Sequence, residues 1–307
     1  MLTLRDRDGA EGLNARISVG NGEVSIDLSN PVSLAIDLRF SAQQGQPRHF
    51  GAPPASSRPF AVPGFSGSVE HGASCNCQTL TLTPHCNGTH TECVGHLTRE
   101  PADAHSVVPF GLLPALLLSI EPTNAQATDE STEPTPQPGD SLITKSAILK
   151  SWANANTSVT ASANQSANAT ASAPPTHFSP RALVLRTVPN SPNKRHHDYT
   201  DQTPAYLSRE AASLLVERGI EHLVVDLPSI DRSHDEGRLT AHRIFFGLPR
   251  GSTTLAQATR PRSTVTELAY IPDTASDGVY LLELQVPALG GDAIPSRPLL
   301  YRLVSPA

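Results

Sequence analysis

Period-two alternation and short unbroken apolar runs dominate this chain, and helical periodicity is scarce. Glu23–Ser29 (EVSIDLS), Leu34–Phe40 (LAIDLRF) and Gln78–Pro84 (QTLTLTP) alternate apolar with polar residues, the pattern of half-buried strands. Arg181–Val188 (RALVLRTV) is a continuous apolar run of the length of a fully buried strand. Ser208 stands as an N-cap before a helix over Arg209–Arg218, Gly219 closes that helix, and Ile220–Asp226 (IEHLVVD) reads as the next strand. Strand, helix and strand in this order predict a βαβ crossover with a parallel pair. A polar loop follows Asp226, then a short apolar run, Arg243–Pro249. Strands are predicted at Ser263–Ile271, Gly278–Val286 and Arg297–Val304. The chain contains no internal repeat and no Gly-rich phosphate loop. The pattern specifies an α/β fold: one mixed-sheet domain over residues 23–307, preceded by an N-terminal extension over 1–22.

Composition changes this picture in two places. Residues 121–139 (EPTNAQATDESTEPTPQPG) and 153–175 (ANANTSVTASANQSANATASAPP) are nearly devoid of large apolar groups. Neither can bury enough surface to offset its ordering entropy, so both are expected to be poorly ordered, low-complexity insertions remote from the chemistry. Between them, Leu142, Ile143, Ala147, Ile148 and Trp152 recur at helical spacing, predicting a short amphipathic helix over Ser141–Trp152.

Charge and apolar content exclude several classes. The formal net charge of −6 and the absence of a long basic run argue against nucleic-acid binding, Lys194–His197 being too short and isolated. The most apolar run, Val107–Ile120, contains Pro109 and Pro114 and is too short to span a bilayer. No signal-peptide pattern opens the sequence, so a soluble, cytoplasmic protein is expected. All four cysteines, Cys75, Cys77, Cys86 and Cys93, fall within nineteen residues. In a reducing compartment they are expected to be small buried apolar residues and not a disulfide framework.

The chemistry concentrates in residues 84–96, PHCNGTHTECVGH, directly after the Gln78–Pro84 alternation. In an extended segment, residues two apart share a side, so His90 and Glu92 project together, with His96 a short loop away. Imidazoles and a carboxylate converging on one point suit Zn2+ or Mn2+ better than Ca2+. A further ligand from this stretch is either His85 or Cys86. Cys86 has the right parity for a straight strand, and His85 has it if Asn87-Gly88 turns the chain. Cys93 points away from Glu92.

Residues Gly88–His96 (GTHTECVGH) resemble the His-x-Gly-Thr-His-x-Asp-x-Pro-x-His signature of the metal-dependent cyclase/hydrolase family, which includes bacterial kynurenine formamidase and isatin hydrolase. Asp27–Val32 (DLSNPV), Tyr206–Asp231 and the pair Leu239–Phe246 and Thr264–Ile271 resemble further blocks of that family in the same order. The resemblance implies a swivelling β/β/α domain and a binuclear centre. His85, His90 and Glu92 would hold one metal. Glu92 would bridge to a second held by His242 and Glu267, and His96 would be the acid/base residue or a further ligand. It also implies a small-molecule substrate and a homodimer or higher homo-oligomer, with no nucleic-acid or membrane partner. The sequence departs from the signature by one extra residue before Gly88, by Glu92 in place of Asp, by Val94 in place of Pro, and by a long Gly/Ser/Thr-rich span between His242 and Glu267. The activity implied is metal-dependent hydrolysis of an amide, formamide or lactam C–N bond, with one or two Zn2+ or Mn2+ per chain. A cyclase or dehydratase with the same metals, or a binding protein that has lost catalysis, is the alternative.

The remaining polar residues carry less. Ser229 lies outside any Gly-x-Ser-x-Gly elbow, which argues against a serine nucleophile. Asp226, Ser229 and Asp231 stand just after a strand end and are expected to structure the loop and to serve as caps. His234, His196 and His197 are expected at the surface, and His49 and Phe50 in a Pro-rich loop.

Overall fold

The computed structural model describes residues 13–19, 22–40, 45–164 and 179–304. Among these, eleven strands form one sheet. In chain order they are Asn14–Val19 (β1), Gly22–Asp27 (β2), Val32–Ser33 (β3), His90–Glu92 (β4), Leu113–Ile120 (β5), Ala182–Thr187 (β6), His222–Val225 (β7), Thr264–Glu267 (β8), Gly278–Gln285 (β9), Ala293–Pro295 (β10) and Arg297–Val304 (β11). Across the sheet the order is β1-β2-β11-β9-β5-β6-β7-β8-β4-β10, with β3 beside β11. The middle strands β5, β6, β7 and β8 pair in parallel. Antiparallel strands flank them on both sides, β9 against β5 and β4 against β8.

Both faces of the parallel centre are covered, which is why β5, β6 and β7 read as unbroken apolar runs. One face of β5 carries Leu116, Leu118 and Ile120, packed with Leu183, Leu185, Leu223 and Val225 against three helices. These helices are Lys145–Asn164 (α1), Arg209–Glu217 (α2) and Thr240–Phe246 (α3). They contribute Ile148 and Trp152, Leu214 and Leu215, and Phe245 and Phe246, respectively. Each fully buried Leu, Ile or Phe here contributes roughly 1.5–3 kcal/mol of transfer free energy. The other face of β5, Leu113, Ala115 and Leu117, packs with Val184, Leu282 and Leu300 under Leu34 and Ile271, which come from connecting segments. Ser208 caps α2 by accepting from Ala211 N, and Gly219, at φ 73°, follows its end. The predicted β6–α2–β7 unit and its parallel pair are both present. No helix among the described residues is long and apolar enough to cross a membrane.

Several expectations change. Ser141–Ile143 is a strand, and α1 begins only at Lys145, where Thr144 Oγ1 accepts from Ala147 N. Leu142 and Ile143 are buried all the same, so their burial mimicked helical spacing. Helix α1 then runs on through 153–164, into the Ala/Ser/Asn-rich segment expected to be unstructured; residues 165–175 of that segment lie outside the described residues. Residues 121–139 are tied down by polar contacts in place of apolar ones. Thr123–Asn124 pairs with Ser141–Leu142, Glu130 accepts from Lys145 N, Ser146 N and Ser208 Oγ, and Ser131 donates to Glu210. Residues 14–19, placed in an N-terminal extension, form β1 of the main sheet. Leu34–Phe40 pairs with no strand, although Leu34 and Ile36 are buried. Gln78–Thr81 forms a ladder with Ser56–Pro59 outside the main sheet, and Leu80 is exposed. Arg243–Phe246 belongs to α3 and not to a separate run. All four cysteines are free: Cys86 and Cys93 are buried as expected, whereas Cys75 and Cys77 are exposed.

Candidate metal centre

Strand β4 puts His90 and Glu92 on one side, and its antiparallel register with β8 sets His90 opposite Glu267 and Glu92 opposite Val265. Thr91, between them, turns to the other side and meets Thr266, Oγ1 to Oγ1, at 2.7 Å. The parity argument for His90 and Glu92 therefore holds in the structure. Asn87 folds the preceding segment into a turn, accepting from Thr83 N through Oδ1 and donating its own N–H to Thr83 O. Gly88 adopts φ 76°, a conformation costly for any residue with a Cβ. That turn resets the parity. His85 Nδ1 comes within 2.9 Å of Glu92 Oε2, and Cys86 joins neither of the ligand clusters found among the described residues.

Helix α3 brings His242 from the opposite side. Its Nε2 is 2.7 Å from Glu92 Oε1 and 3.5 Å from Glu267 Oε1. His90 Nε2 is 3.6 Å from Glu267 Oε2. His96 stacks near His85, ring centroids 4.2 Å apart, and lies 5.6 Å from the His242 ring. Thus His85, His90, Glu92, His96, His242 and Glu267, spread over more than 180 residues of chain, form one group. Their potential ligand atoms fall into two clusters sharing Glu92: His85–Glu92–His96 and His90–Glu92–Glu267. His90 sides with Glu267, its cross-strand partner, and His96 sides with His85.

One feature runs through three of the histidines. In each, one ring nitrogen is bonded outward and the other is turned into the group. His85 Nε2 donates to Asp292 Oδ2 (2.7 Å), His90 Nδ1 to Gly88 O (3.1 Å) and His242 Nδ1 to Asp231 Oδ2 (2.7 Å). This is how outer carboxylates and carbonyls fix a metal-ligating imidazole in tautomer and direction. The inward atoms His90 Nε2, Glu92 Oε1 and His242 Nε2 are buried without a hydrogen-bond partner. Glu92 Oε1 and His242 Nε2 approach to 2.7 Å, yet the angles are not those of a hydrogen bond. Buried polar atoms in folded proteins are as a rule hydrogen-bonded, and three unpartnered ones converging within one group fit a cation. The donor set of imidazole nitrogens and carboxylate oxygens suits Zn2+ or Mn2+.

The charge balance is consistent with that fit. Burial opposes ionisation of Glu92, but His242, His96 and His85 outweigh it and hold its carboxyl well below the ordinary carboxylate range. Burial likewise disfavours a charged His85, yet Asp292 and Glu92 lift its pKa to about 10. The side chains of His85 and His96 are 25% and 27% exposed, whereas those of His90, His242, Glu92 and Glu267 are at most 5% exposed, so the group opens to solvent on the His85–His96 side.

Local backbone is bent to deliver these groups. Leu268, directly after Glu267, has φ 51°, and Leu239, just before α3, has φ 47°. Non-glycine residues in this region cost of order 1–3 kcal/mol and cluster at functional sites. Asp231 accepts from Ala241 N and His242 N as well as from the His242 ring, so the expected capping residue also orients a site histidine. Asp292, which contacts both His85 and His96, carried no sequence signal. It follows Gly290-Gly291 in what reads as an ordinary turn. Asp226 lies elsewhere: it is buried, accepts from Thr187, and pairs with Lys194 Nζ at 2.7 Å. His234 is exposed. His49 is buried with neither ring nitrogen in a hydrogen bond, and burial lowers its pKa despite the nearby Glu267 carboxylate and Tyr199 carbonyl. Cys93 is a buried thiol donating to Ala102 O, its pKa pushed up to about 11 by burial.

Residues 26–232 match the model of the family described as "Putative cyclase", and the chain belongs to that family. No curated protein matches the chain. Among solved structures, it is similar to a protein described as a "predicted metal-dependent hydrolase from Bacillus stearothermophilus", at 14% identity and TM-score 0.51, over 89% of this chain and 98% of that one. A "potential metal-dependent hydrolase with cyclase activity" is similar at 16% identity and TM-score 0.51, over the same shares. Isatin hydrolase A from Labrenzia aggregata, bound to benzyl benzoate, aligns at 12% identity and TM-score 0.49, over 89% of this chain and 93% of that one. At such identities the first two likenesses establish the fold, a mixed α/β architecture with one large sheet and few helices.

Proposed function

We propose that the protein is a metal-dependent hydrolase that opens an amide, formamide or lactam C–N bond with a metal-activated water. The observation that carries this reading is the common orientation of His85, His90 and His242, each tied outward by a carboxylate or carbonyl and directed inward at Glu92 and Glu267. His85, His90, Glu92, His242 and Glu267 would hold one or two Zn2+ or Mn2+, with Glu92 facing both ligand clusters. A divalent ion held there would lower the pKa of its water towards roughly 7 and would polarise a carbonyl. His96, on the open side and with Asp292 3.5 Å from its Nδ1, would pass a proton to the departing nitrogen. The burial of Glu92 and Glu267, 1% and 5% exposed, lowers the local dielectric and strengthens the interactions on that side.

The test is metal content per chain, measured for wild type, His90→Ala and Glu267→Ala, followed by proton release on a panel of formamides, lactams and lactones. Stoichiometric metal in wild type, its loss in His90→Ala, and turnover of a C–N substrate are expected. Wild type without stoichiometric metal overturns the reading. Metal-replete protein that turns over no panel member assigns the site to binding and not to hydrolysis.

A further inference from the structure

On the outer side of α3, opposite the histidine group, lies a cleft of about 340 Å3 edged by four arginines: Arg209, Arg238, Arg243 and Arg250. At about 100° per residue, Thr240, Ile244 and Gly247 face away from His242 and Arg243 stands to its side, so this cleft opens on another side of α3 from the candidate metal centre. Its wall is mixed. Ile244, Leu248 and Pro249 supply apolar surface, and Glu133 is the one carboxylate among the lining residues.

The charges do not cancel. Glu133 is shared by Arg209 Nη1 at 3.6 Å and Arg250 Nη2 at 2.6 Å. Among the described residues, the carboxylate paired with Arg238 is that of the exposed Glu236, at 3.3 Å. Arg243 directs Nε to Arg238 O, and Nη1 to Pro249 O and Ser252 O, so its charge meets carbonyls and no carboxylate. Four guanidiniums against three carboxylates, Glu133, Glu236 and Glu210 beside Arg209, leave a surplus of one positive charge, on a chain whose formal net charge is −6. Arginines held on carbonyls by some of their N–H groups are pre-organised, and their planar forks match carboxylates. Glu133 itself shows the mode, a carboxylate gripped by two of the four.

We propose that this cleft is a second ligand site, which takes a small organic carboxylate with an apolar body: the anion on the arginines, the body against Ile244, Leu248 and Pro249. Its volume is that of small-molecule pockets. The proposal stands on the cleft alone and is independent of what the histidine group does.

The experiment is a titration of the full-length protein with benzoate, followed by ligand-observed NMR, with neutral benzamide and inorganic phosphate in parallel. Saturable benzoate binding is expected, with benzamide and phosphate each at least tenfold weaker. The Arg209→Ala/Arg250→Ala variant should lose at least tenfold in benzoate affinity. Arg250→Ala alone, altering a side chain that is 69% exposed, should keep the fold and lose several-fold. His96→Ala should bind benzoate as wild type does, and its loss there would place the ligand at the histidine group and overturn the proposal. So would benzoate affinity indifferent to both arginine substitutions, or benzamide binding as tightly. Sedimentation of wild type and Arg250→Ala completes the test. A self-association abolished by the substitution and unaffected by benzoate would make the cleft a subunit interface and refute the ligand site.

Discussion

Asp231 Oδ2 accepts from His242 Nδ1 at 2.7 Å, while the same carboxylate takes the backbone N–H groups of Ala241 and His242. One side chain thereby starts helix α3 and sets the direction of the imidazole the helix delivers. Asp231→Asn keeps an acceptor for the cap but lacks the charge, and its amide can turn an N–H toward His242. Outer partners of metal-ligating histidines are worth about 10–100-fold in metal affinity, and a lost cap costs about 1 kcal/mol. The expected result is a metal affinity lower by about that factor with a stability loss near 1 kcal/mol or less, read by chelator competition and by thermal unfolding. Unchanged metal affinity would show that Asp231 is only a cap.

Metal loading should release protons. In the protein alone, burial works against a charged His85, but Asp292 and Glu92 lift its pKa to about 10, so the ring is protonated at neutral pH. A ligand imidazole must be neutral, and binding expels that proton. Calorimetric titration with Zn2+ in two buffers of different ionisation enthalpy should give different apparent heats, and metal affinity should fall as the pH is lowered. In Asp292→Asn the His85 pKa is lower, and fewer protons should leave at pH 7. Heats independent of buffer would contradict the assignment of His85.

His222 supplies an acid-sensitive element away from the site. It is buried in β7, with Nδ1 on Thr264 Oγ1, and burial lowers its pKa to about 4. A base with a lowered folded pKa leaves stability intact above the unfolded value of 6.5. The unfolded chain binds the extra proton as the pH falls from 6.5 to 4, so stability declines through that window. The shift corresponds to roughly 3 kcal/mol. Urea midpoints measured from pH 7.5 to pH 4 should fall more steeply for wild type than for His222→Gln. Parallel curves would refute the assignment.

Gly95 is required by close approach and not by conformation. A Cβ there would stand 2.4 Å from Ala102 O and 3.0 Å from Asp292 Cβ. Gly95→Ala must push the turn that carries His96 away from the Ala102 backbone and crowd the loop that carries Asp292. The expected cost is about 1–3 kcal/mol in denaturant unfolding, as for overpacking, together with weakened metal binding. Wild-type stability would show that this turn has room to move.

Part of the histidine group was legible from local rules, and His242 and Glu267 entered only through the family resemblance. Strand parity placed His90 and Glu92 together, Asn87-Gly88 announced the turn that favours His85, and the polar segment followed an apolar one at a strand end. The buried parallel strands were equally legible, since only a strand covered on both faces reads as RALVLRTV. Other features were misjudged where polar contacts replaced apolar burial. Residues 121–139 are held by Glu130, Ser131 and Thr123 through hydrogen bonds that no hydropathy pattern records. The alternation in Leu34–Phe40 reflects the burial of Leu34 and Ile36 in a connecting segment without a ladder.

What the sequence determined alone was the set of elements and the identity of the chemical groups, because periodicity and turn residues act over a few positions. What local sequence rules could not decide, and only the family resemblance anticipated in part, was which groups meet; the tertiary structure supplies the contacts themselves. Glu267 faces His90 through the β4–β8 register, His242 reaches Glu92 because α3 packs its apolar side on the sheet, and Asp292 joins His85 and His96 from a turn some two hundred residues away. Such contacts are fixed by strand order and packing, which no local stretch of sequence contains.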